Sequence, residues 1–396
     1  MAESGFITRL ACWRTGAAHP PDRLINLSDA GAPLRVEYDL PRVREALRRD
    51  DLERRPRSLW AWRELLPLPL EREPLTLGEG GTPMIASDRL AAEVGVQRVW
   101  IKDEALNPTA SFKARGMAVA VAMAGYLGAT ELAVPSAGNA GGALAAYAAT
   151  AGMKAHVFMP HDVPAANRLE CELAGAEVTL VAGLITDCAA RVREGCQRHG
   201  WFDVSTLREP YRVEGKKTMG FEIARDLGWR LPDVIVYPTG GGAGLIGMAK
   251  AFDELEALGW VDAPRPRFVA VQADGCCPIV RAFHAGAREA AEHVNAHTIA
   301  AGLRVPKAIG DFIMLDILRR TNGTAIAVSD EAMIRGARHM SATTGVCACP
   351  EGGACLAALR ELRRSGWVRP QDEVVLFNTA SGLKYGEAFA LHLIRR

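Results

Sequence analysis

The segment Asn107-Pro108-Thr109-Ala110-Ser111-Phe112-Lys113-Ala114-Arg115-Gly116 joins a loop-forming Asn-Pro pair to a long helical pattern of Ala, Met and Val over 114–127. Lys113 falls at the start of that helix, directly after Phe112. Partial burial beside an aromatic ring and the positive end of a helix dipole both favour the neutral amine over the ammonium. A neutral amine attacks aldehydes, so Lys113 is a candidate Schiff-base lysine. The alternative is a lysine that lays its stem along the helix and keeps its charge in water.

The length and composition of the chain indicate an α/β enzyme of two domains. Its 396 residues exceed the size at which a single hydrophobic core stops growing. The 47 basic and 46 acidic residues leave a net charge of +1, which gives no reason to expect a nucleic acid or a membrane as partner. The sequence contains neither an apolar stretch long enough to span a bilayer nor a signal-peptide pattern, so we expect a cytoplasmic protein.

The nine cysteines are too scattered in a chain of this length to indicate a disulfide framework. Cys347, Cys349 and Cys355 lie close together in sequence, but no histidine is near them. Because a zinc site needs four well-spaced ligands, we predict no metal there.

Short apolar runs rich in β-branched residues recur along the chain, with helical patterns between them. This alternation predicts βαβ units and largely parallel sheets. The predicted strands cover 99–102, 132–135, 155–159, 178–181, 234–237, 268–271, 325–328 and 374–377. Residues 42–57 carry dense charge and are predicted to form a solvated helix face, and 67–74 an extended linker.

Three loops that follow predicted strands carry polar or glycine-rich sequence, and ligands bind at such strand ends in parallel sheets. Thr239-Gly240-Gly241-Gly242-Ala243-Gly244 offers backbone NH groups at a helix start, which suits a phosphate, or else forms a tight turn. Ser136-Ala137-Gly138-Asn139 offers donors for a carboxylate or a second phosphate, or else is an ordinary helix N-cap. Thr379 and Ser381 supply hydroxyls at a third strand end, or else only form a turn. A neutral-amine lysine, a phosphate cradle and an anion loop together point to pyridoxal phosphate.

From about residue 70 to its end the chain resembles the fold-type-II pyridoxal-phosphate enzymes, and within them the threonine synthase family. The resemblance rests on several motifs in the family's order. They are the lysine segment above, the loop 136–139, Arg212-Val213-Glu214-Gly215-Lys216-Lys217-Thr218, the glycines of 240–244, and 379–384.

The resemblance implies roles for matching residues. Lys113 would form the Schiff base and shuttle protons, Asn139 would contact the phenolic oxygen of the cofactor, and Thr379 would face its pyridine nitrogen. The cofactor phosphate would be held by Gly240, Gly241, Gly242, Ala243 and Gly244. The substrate carboxylate would be held by Ser136, Ala137 and Gly138, and the substrate phosphate by Arg212.

The implied reaction converts O-phospho-L-homoserine and water to L-threonine and phosphate by γ-elimination and β-addition. The cofactor motifs also fit β-eliminating or β-replacing enzymes, such as serine/threonine or diaminopropionate ammonia-lyases and cysteate or cysteine synthases. Arg212 favours a phosphorylated substrate over a free hydroxy amino acid. A non-catalytic homologue is the remaining alternative, and the retained lysine, asparagine and glycines argue against it.

The chain departs from the family pattern near the predicted substrate site. Residues 206–210 lack an Asn-Ser pair that in many threonine synthases helps to hold the leaving phosphate, and Arg208 is a candidate replacement. Cys349-Pro350-Glu351 reverses the commoner order of Glu and Pro. Glu351 either reaches the site or only ends a strand.

A second departure lies at the N-terminus. Related long-form synthases begin with a four-cysteine zinc ribbon, of which only Cys12 remains here, with Thr15, Leu27 and Ala30 at the other positions. One thiolate cannot build a structural zinc site, so we predict no zinc.

The resemblance implies two open-sheet α/β lobes of tryptophan synthase β-like architecture with the cofactor between them. We expect an N-terminal extension over 1–69, a large lobe of 70–106 and 212–396, and a small mobile lobe of 107–211. A homodimer is suggested by the resemblance alone.

Overall fold

The computed structural model describes residues 5–262 and 264–393, which form an α/β structure with three β-sheets. The strands are β1 (Ile7–Cys12), β2 (Ala18–His19), β3 (Leu34–Tyr38), β4 (Met84–Ala86), β5 (Arg98–Asp103), β6 (Glu131–Pro135), β7 (Lys154–Pro160), β8 (Glu177–Val181), β9 (Phe202–Asp203), β10 (Val234–Pro238), β11 (Arg267–Ala273), β12 (Thr324–Val328) and β13 (Glu373–Asn378). Every strand predicted from an apolar run is present.

Helices precede, connect and follow these strands. The α-helices are α1 (Leu40–Ala46), α2 (Arg49–Arg54), α3 (Asp88–Val94), α4 (Lys113–Tyr126), α5 (Asn139–Thr150), α6 (Ala165–Leu173), α7 (Ile185–His199), α8 (Tyr211–Asp226), α9 (Ala243–Ala257), α10 (Pro278–His284), α11 (Asp311–Arg320), α12 (Asp330–Thr344), α13 (Pro350–Arg364) and α14 (Gly386–Leu393). Short 3-10 helices occupy Leu59–Leu65, Glu104–Leu106, Pro108–Ala110, Ala301–Leu303 and Gly382–Tyr385. No helix in the described ranges is long and apolar enough to cross a membrane.

The largest sheet has six strands in the order β12-β11-β10-β13-β5-β4. All neighbouring pairs are parallel except β4 with β5, which is antiparallel. Both β10 and β13 are buried along their whole length, as expected for central strands with helices on both faces. The prediction of a largely parallel sheet is therefore confirmed, and the short edge strand β4 was missed.

A second, parallel sheet has four strands in the order β8-β7-β6-β9. All four strands lie within 107–211, the range predicted for the small lobe. The lobe boundaries themselves remain a prediction.

The N-terminal extension forms an antiparallel three-stranded sheet, β2-β1-β3, followed by two short helices where one charged helix face was predicted. It packs on α8, where the Tyr38 hydroxyl donates to Glu214 Oε2 at 2.8 Å and the Trp62 and Phe221 ring centroids lie 4.9 Å apart. Cys12 is buried in this extension. Across 5–262 and 264–393 no group of three His, Cys, Asp or Glu side chains could hold a metal ion.

Candidate active site

A cavity of about 590 Å³ opens at the carboxyl ends of β6, β10 and β13. This is where ligands bind in open parallel sheets. Every residue to which the family resemblance gives a cofactor or substrate role lines this one cavity, whereas Ser381 is not among its lining residues. The residues with such a role are Lys113, Ser136, Ala137, Gly138, Asn139, Arg212, Gly240, Gly241, Gly242, Ala243, Gly244 and Thr379.

Lys113 is the first residue of α4, and its Nζ lies 4.1 Å from the centroid of the Phe112 ring. Within the described residues no carboxylate forms an ion pair with it. The pKa of Lys113 is lowered from 10.5 to about 7: burial contributes most, the charge of Arg212 acts in the same direction, and Glu351 partly opposes the change. The sequence pointed to desolvation beside Phe112, but it could not locate Arg212, which acts from another helix.

This pKa has a direct consequence for cofactor loading. We expect the apoprotein to condense with pyridoxal phosphate at a rate that rises about tenfold per pH unit below 7 and levels off above it, because only the neutral amine attacks the aldehyde. The visible absorbance that appears after mixing measures this rate. A midpoint near 10.5, the ordinary lysine value, would contradict the burial account.

The loop before Lys113 is fixed by backbone contacts to the chain that follows β13. Phe112 N donates to Thr379 O at 3.0 Å, and Ser381 N donates to Ala110 O at 3.0 Å. Ala110 itself has a φ of +48°, which is unfavourable for a residue with a Cβ. These contacts bring the predicted ring-nitrogen partner Thr379 next to the lysine.

A buried ionic network lies behind this loop, where Arg115 is fully enclosed. Its guanidinium donates to Glu104 Oε2 at 2.6 Å and to Glu222 Oε1 at 2.6 Å. Lys102 Nζ also donates to Glu222, at 2.7 Å. The network joins α4, α8 and β5, and so fixes the helix that carries Lys113.

The loop between β6 and α5 holds its own backbone through Ser136. The Ser136 hydroxyl accepts from Gly141 N at 2.9 Å and Gly138 N at 3.2 Å, and it donates to Gly138 O at 2.7 Å. The hydroxyl therefore supports the N-terminus of α5. Ala137, Gly138, Asn139 and Ala140 line the cavity at this helix N-terminus, a position that suits an anion.

Asn139 is buried and belongs to a hydrogen-bond chain that the sequence did not reveal. Its Nδ2 donates to the Tyr385 hydroxyl at 3.3 Å, and that hydroxyl donates to Glu351 Oε1 at 2.8 Å. Oδ1 of Asn139 and Oε2 of Glu351 are buried without a hydrogen-bond partner in the described part of the chain. Glu351 thus reaches the cavity from the first turn of α13 and does not end a strand.

The glycine loop after β10 needs its glycines because other parts of the fold approach it closely. A Cβ on Gly240 would lie 2.2 Å from Gly302 O, and one on Gly244 would lie 1.9 Å from the Tyr237 hydroxyl. Gly242 is the N-cap of α9 with a φ of +81°. The loop therefore brings its backbone close to the cavity at a helix N-terminus, an arrangement that suits a phosphate.

We expect Gly240→Ala to weaken cofactor binding by about 5- to 150-fold, since a clash with a backbone carbonyl costs about 1–3 kcal/mol and displaces the NH groups of the loop. Equilibrium titration with pyridoxal phosphate measures the change. Gly386→Ala is the matched control, because no atom outside its own chain neighbourhood lies within 4 Å of its added Cβ. Equal affinities for the two variants would contradict the role given to the loop.

Arg212 enters the cavity from the first turn of α8 and is almost fully buried. One terminal nitrogen donates to Val204 O at 2.7 Å, while Nε has no partner among residues 5–262 and 264–393. Burial raises the pKa of the nearby Glu209 to about 7. Arg208 also lines the cavity, with its Nε 3.9 Å from Asp203 Oδ2.

Thr379 follows β13 and is buried with a neutral neighbour, the Cys349 sulfur, 3.9 Å from its hydroxyl. Burial, followed by the charge of Glu351, raises the pKa of the Cys349 thiol well above its usual value. A neutral hydroxyl at this position would not require a neighbouring pyridine nitrogen to be protonated, as a carboxylate would.

Comparison with known proteins places this geometry in a family. Residues 75–380 match the family described as pyridoxal-phosphate dependent enzyme. The chain is 35% identical over 377 residues to a threonine synthase of Methanosarcina acetivorans, covering 95% of this chain and 92% of that protein. It is 31% identical over 378 residues to a threonine synthase of Methanocaldococcus jannaschii, covering 95% and 93%.

Solved structures share the fold. A maize serine racemase aligns with a TM-score of 0.66 over 79% of this chain and 92% of its own, at 21% sequence identity. A fungal L-serine ammonia-lyase from Rhizomucor miehei aligns with a TM-score of 0.65 over 78% and 98%, at 20% identity. The fold-type-II prediction is thereby confirmed.

Proposed function

The chain belongs to the pyridoxal-phosphate-dependent enzymes, in the threonine synthase family, and we propose that it converts O-phospho-L-homoserine and water to L-threonine and inorganic phosphate. Its cofactor is pyridoxal phosphate. The observation that carries the proposal is the position of Arg212, a buried cation whose Nε has no hydrogen-bond partner among the described residues, in the same cavity as Lys113. A cytoplasmic location and a homodimer are parts of the same proposal.

The described side chains fit the cofactor. In the cradle of 240–244 a Cβ on Gly240 would clash with the backbone of Gly302, and the backbone NH groups of this loop would hold the cofactor phosphate. Asn139 would contact the phenolic oxygen, Thr379 the ring nitrogen, and Lys113 the aldehyde carbon. When bound, pyridoxal phosphate supplies the electron sink that makes protons next to the amino-acid carbon acidic.

Lys113 is suited to move those protons. A pKa of about 7 lets Nζ accept a proton and return it near neutral pH. The α5 N-terminus would hold the substrate carboxylate, which orients the α- and β-protons toward Nζ. The bidentate pair of Arg304 with Asp162, at 2.7 and 3.0 Å, joins a loop of the large sheet to the small lobe beside the cavity.

A phosphorylated substrate explains the charge of the cavity. Arg193, Arg208 and Arg212 all line it, and a lyase acting on free serine or threonine has no group for them to bind. Arg208 occupies the place where the family's Asn-Ser pair is missing, and it supplies a cation in its stead.

A substrate panel tests the proposal. We expect the holoenzyme to release phosphate and threonine from O-phosphohomoserine, and to release ammonia and keto acid from serine, threonine or diaminopropionate at least about 100-fold more slowly, because those substrates leave the buried arginine unpaired. Keto acid from O-phosphoserine, with no threonine from O-phosphohomoserine, would instead establish a β-eliminating enzyme.

A further inference from the structure

Lys216 is a second lysine in the active-site cavity and differs from every other fully buried lysine in its surroundings. Lys102 pairs with Glu222 at 2.7 Å, and Lys217 pairs with Glu214 at 2.6 Å. In the described ranges Lys216 has no carboxylate partner, and its Nζ donates to the carbonyl of Phe112.

The fold makes room for this side chain. A Cβ atom added to Gly116 of α4 would lie 3.1 Å from Lys216 Cε. A Cβ atom added to Gly247 of α9 would lie 3.0 Å from Lys216 Cβ. The stem is therefore held between two glycines on neighbouring helices. Its Nζ lies 4.1 Å from the centroid of the Phe112 ring, as does Nζ of Lys113.

Arg212 and Lys216 are one helical turn apart on α8, so their side chains share a face. Both are almost fully buried and line the cavity, and the Nε of Arg212 is unpaired within the described chain. Within the described residues neither side chain is bonded to a carboxylate, so a guanidinium and an amine on one helix face together suit an anion.

We propose that Lys216 is a second ligand of the substrate phosphate, beside Arg212, and that its amine takes up a proton when the dianion binds. The inference rests on the proposed function and specifies its substrate site. The amine and one solvent proton become an ammonium, which then pairs with a phosphate oxygen. No bond to carbon or phosphorus changes in this step.

The charges around Lys216 support proton uptake. Burial and then the positive charges of Lys113 and Arg212 hold the pKa of Lys216 well below its usual range. Of the remaining charges, Glu104 favours the ammonium and Arg115 opposes it, and these two are bonded to each other. The facing position on α9 is Gly247, which carries no charge. A dianion would reverse the balance, because an opposite charge at contact favours the protonated amine.

Sulfate binding to the holoenzyme tests this site without turnover, since sulfate stays a dianion where phosphate titrates. We expect calorimetry in buffers of different ionisation enthalpy to show net proton uptake, and sulfate affinity to rise as pH falls. Lys216→Gln, which keeps a donor for the Phe112 carbonyl, should weaken sulfate binding by about 10- to 100-fold and remove most of the pH dependence. Cofactor absorbance, recorded in parallel, corrects for titration at Lys113.

Lys307→Gln is the matched control, because Lys307 also lines the cavity but pairs with Asp311 at 2.8 Å. Its sulfate affinity should stay within about twofold. Wild-type binding without proton uptake would overturn the inference, and that result needs no variant to fold. If the enzyme forms threonine but Lys216→Gln binds sulfate as tightly as the wild type, the inference is overturned and the proposed function stands. Proton-linked sulfate binding without threonine formation would support the site and contradict the proposed reaction.

Discussion

Lys113→Ala is expected to lower kcat by about 1,000- to 10,000-fold, because it removes the amine that moves protons in each half of the reaction. The variant should also lose the visible absorbance of the holoenzyme, since no Schiff base with the chain can form at this position. Steady-state phosphate release and an absorbance spectrum measure both effects. Lys154→Ala, which removes a lysine with a side chain 68% exposed on the small sheet, is expected to change neither.

Borohydride reduction of the wild-type holoenzyme identifies the reactive lysine directly. Lys113 and Lys216 lie against the same phenylalanine ring, so peptide mass analysis is needed to separate them. We expect the cofactor on the peptide that contains Lys113. A cofactor adduct on Lys216, or kcat in Lys113→Ala above about a tenth of the wild-type value, would contradict the assignment.

Arg115→Met is expected to lower the free energy of unfolding by about 3–5 kcal/mol, because it leaves buried carboxylates without their cation. Arg115 is fully enclosed and donates to Glu104 and Glu222, both of which are also fully buried. Lys102 remains beside Glu222, so Glu104 carries most of the loss. Urea unfolding of the holoprotein at constant cofactor concentration measures the change.

The exposed pair of Arg168 and Glu172 provides the control. These side chains are 2.7 Å apart and 48% and 42% exposed, so Arg168→Met should cost less than about 1 kcal/mol. Equal losses in the two variants would mean that the Arg115 network contributes no more than a solvent-exposed pair. Because Arg115 fixes α4, its variant should also slow turnover, while the control should not.

The parallel strands could be predicted because their apolar runs are local and continuous, as in β10 and β13, which are buried on both faces. The antiparallel edge strand β4 has three residues, and the N-terminal sheet pairs segments of mixed exposure. Neither has the continuous apolar run that marks a central strand. The roles proposed for Lys113, Asn139 and the glycine loop come from short local motifs and from the family resemblance that those motifs carry.

The long-range contacts that position the side chains of the site could not be predicted from local sequence patterns. Tyr385 reaches Asn139 across 246 residues of sequence, and Arg115 reaches Glu222 across 107. Lys216 is one of several charged residues in its motif, and only the fold shows that Lys217 has carboxylate partners while Lys216 faces the cavity. Glu351 could be assigned to the cavity only once α13 was seen to begin at its rim.

The most direct test of the central claim follows oxygen from solvent during turnover of O-phosphohomoserine in water enriched in a heavy oxygen isotope. Loss of phosphate from Cγ breaks the carbon–oxygen bond, and water then adds at Cβ. We predict solvent oxygen in the threonine hydroxyl and none in the phosphate, as read by mass spectrometry of both products at early times. Solvent oxygen in the phosphate with homoserine as the other product would show simple ester hydrolysis and contradict the account.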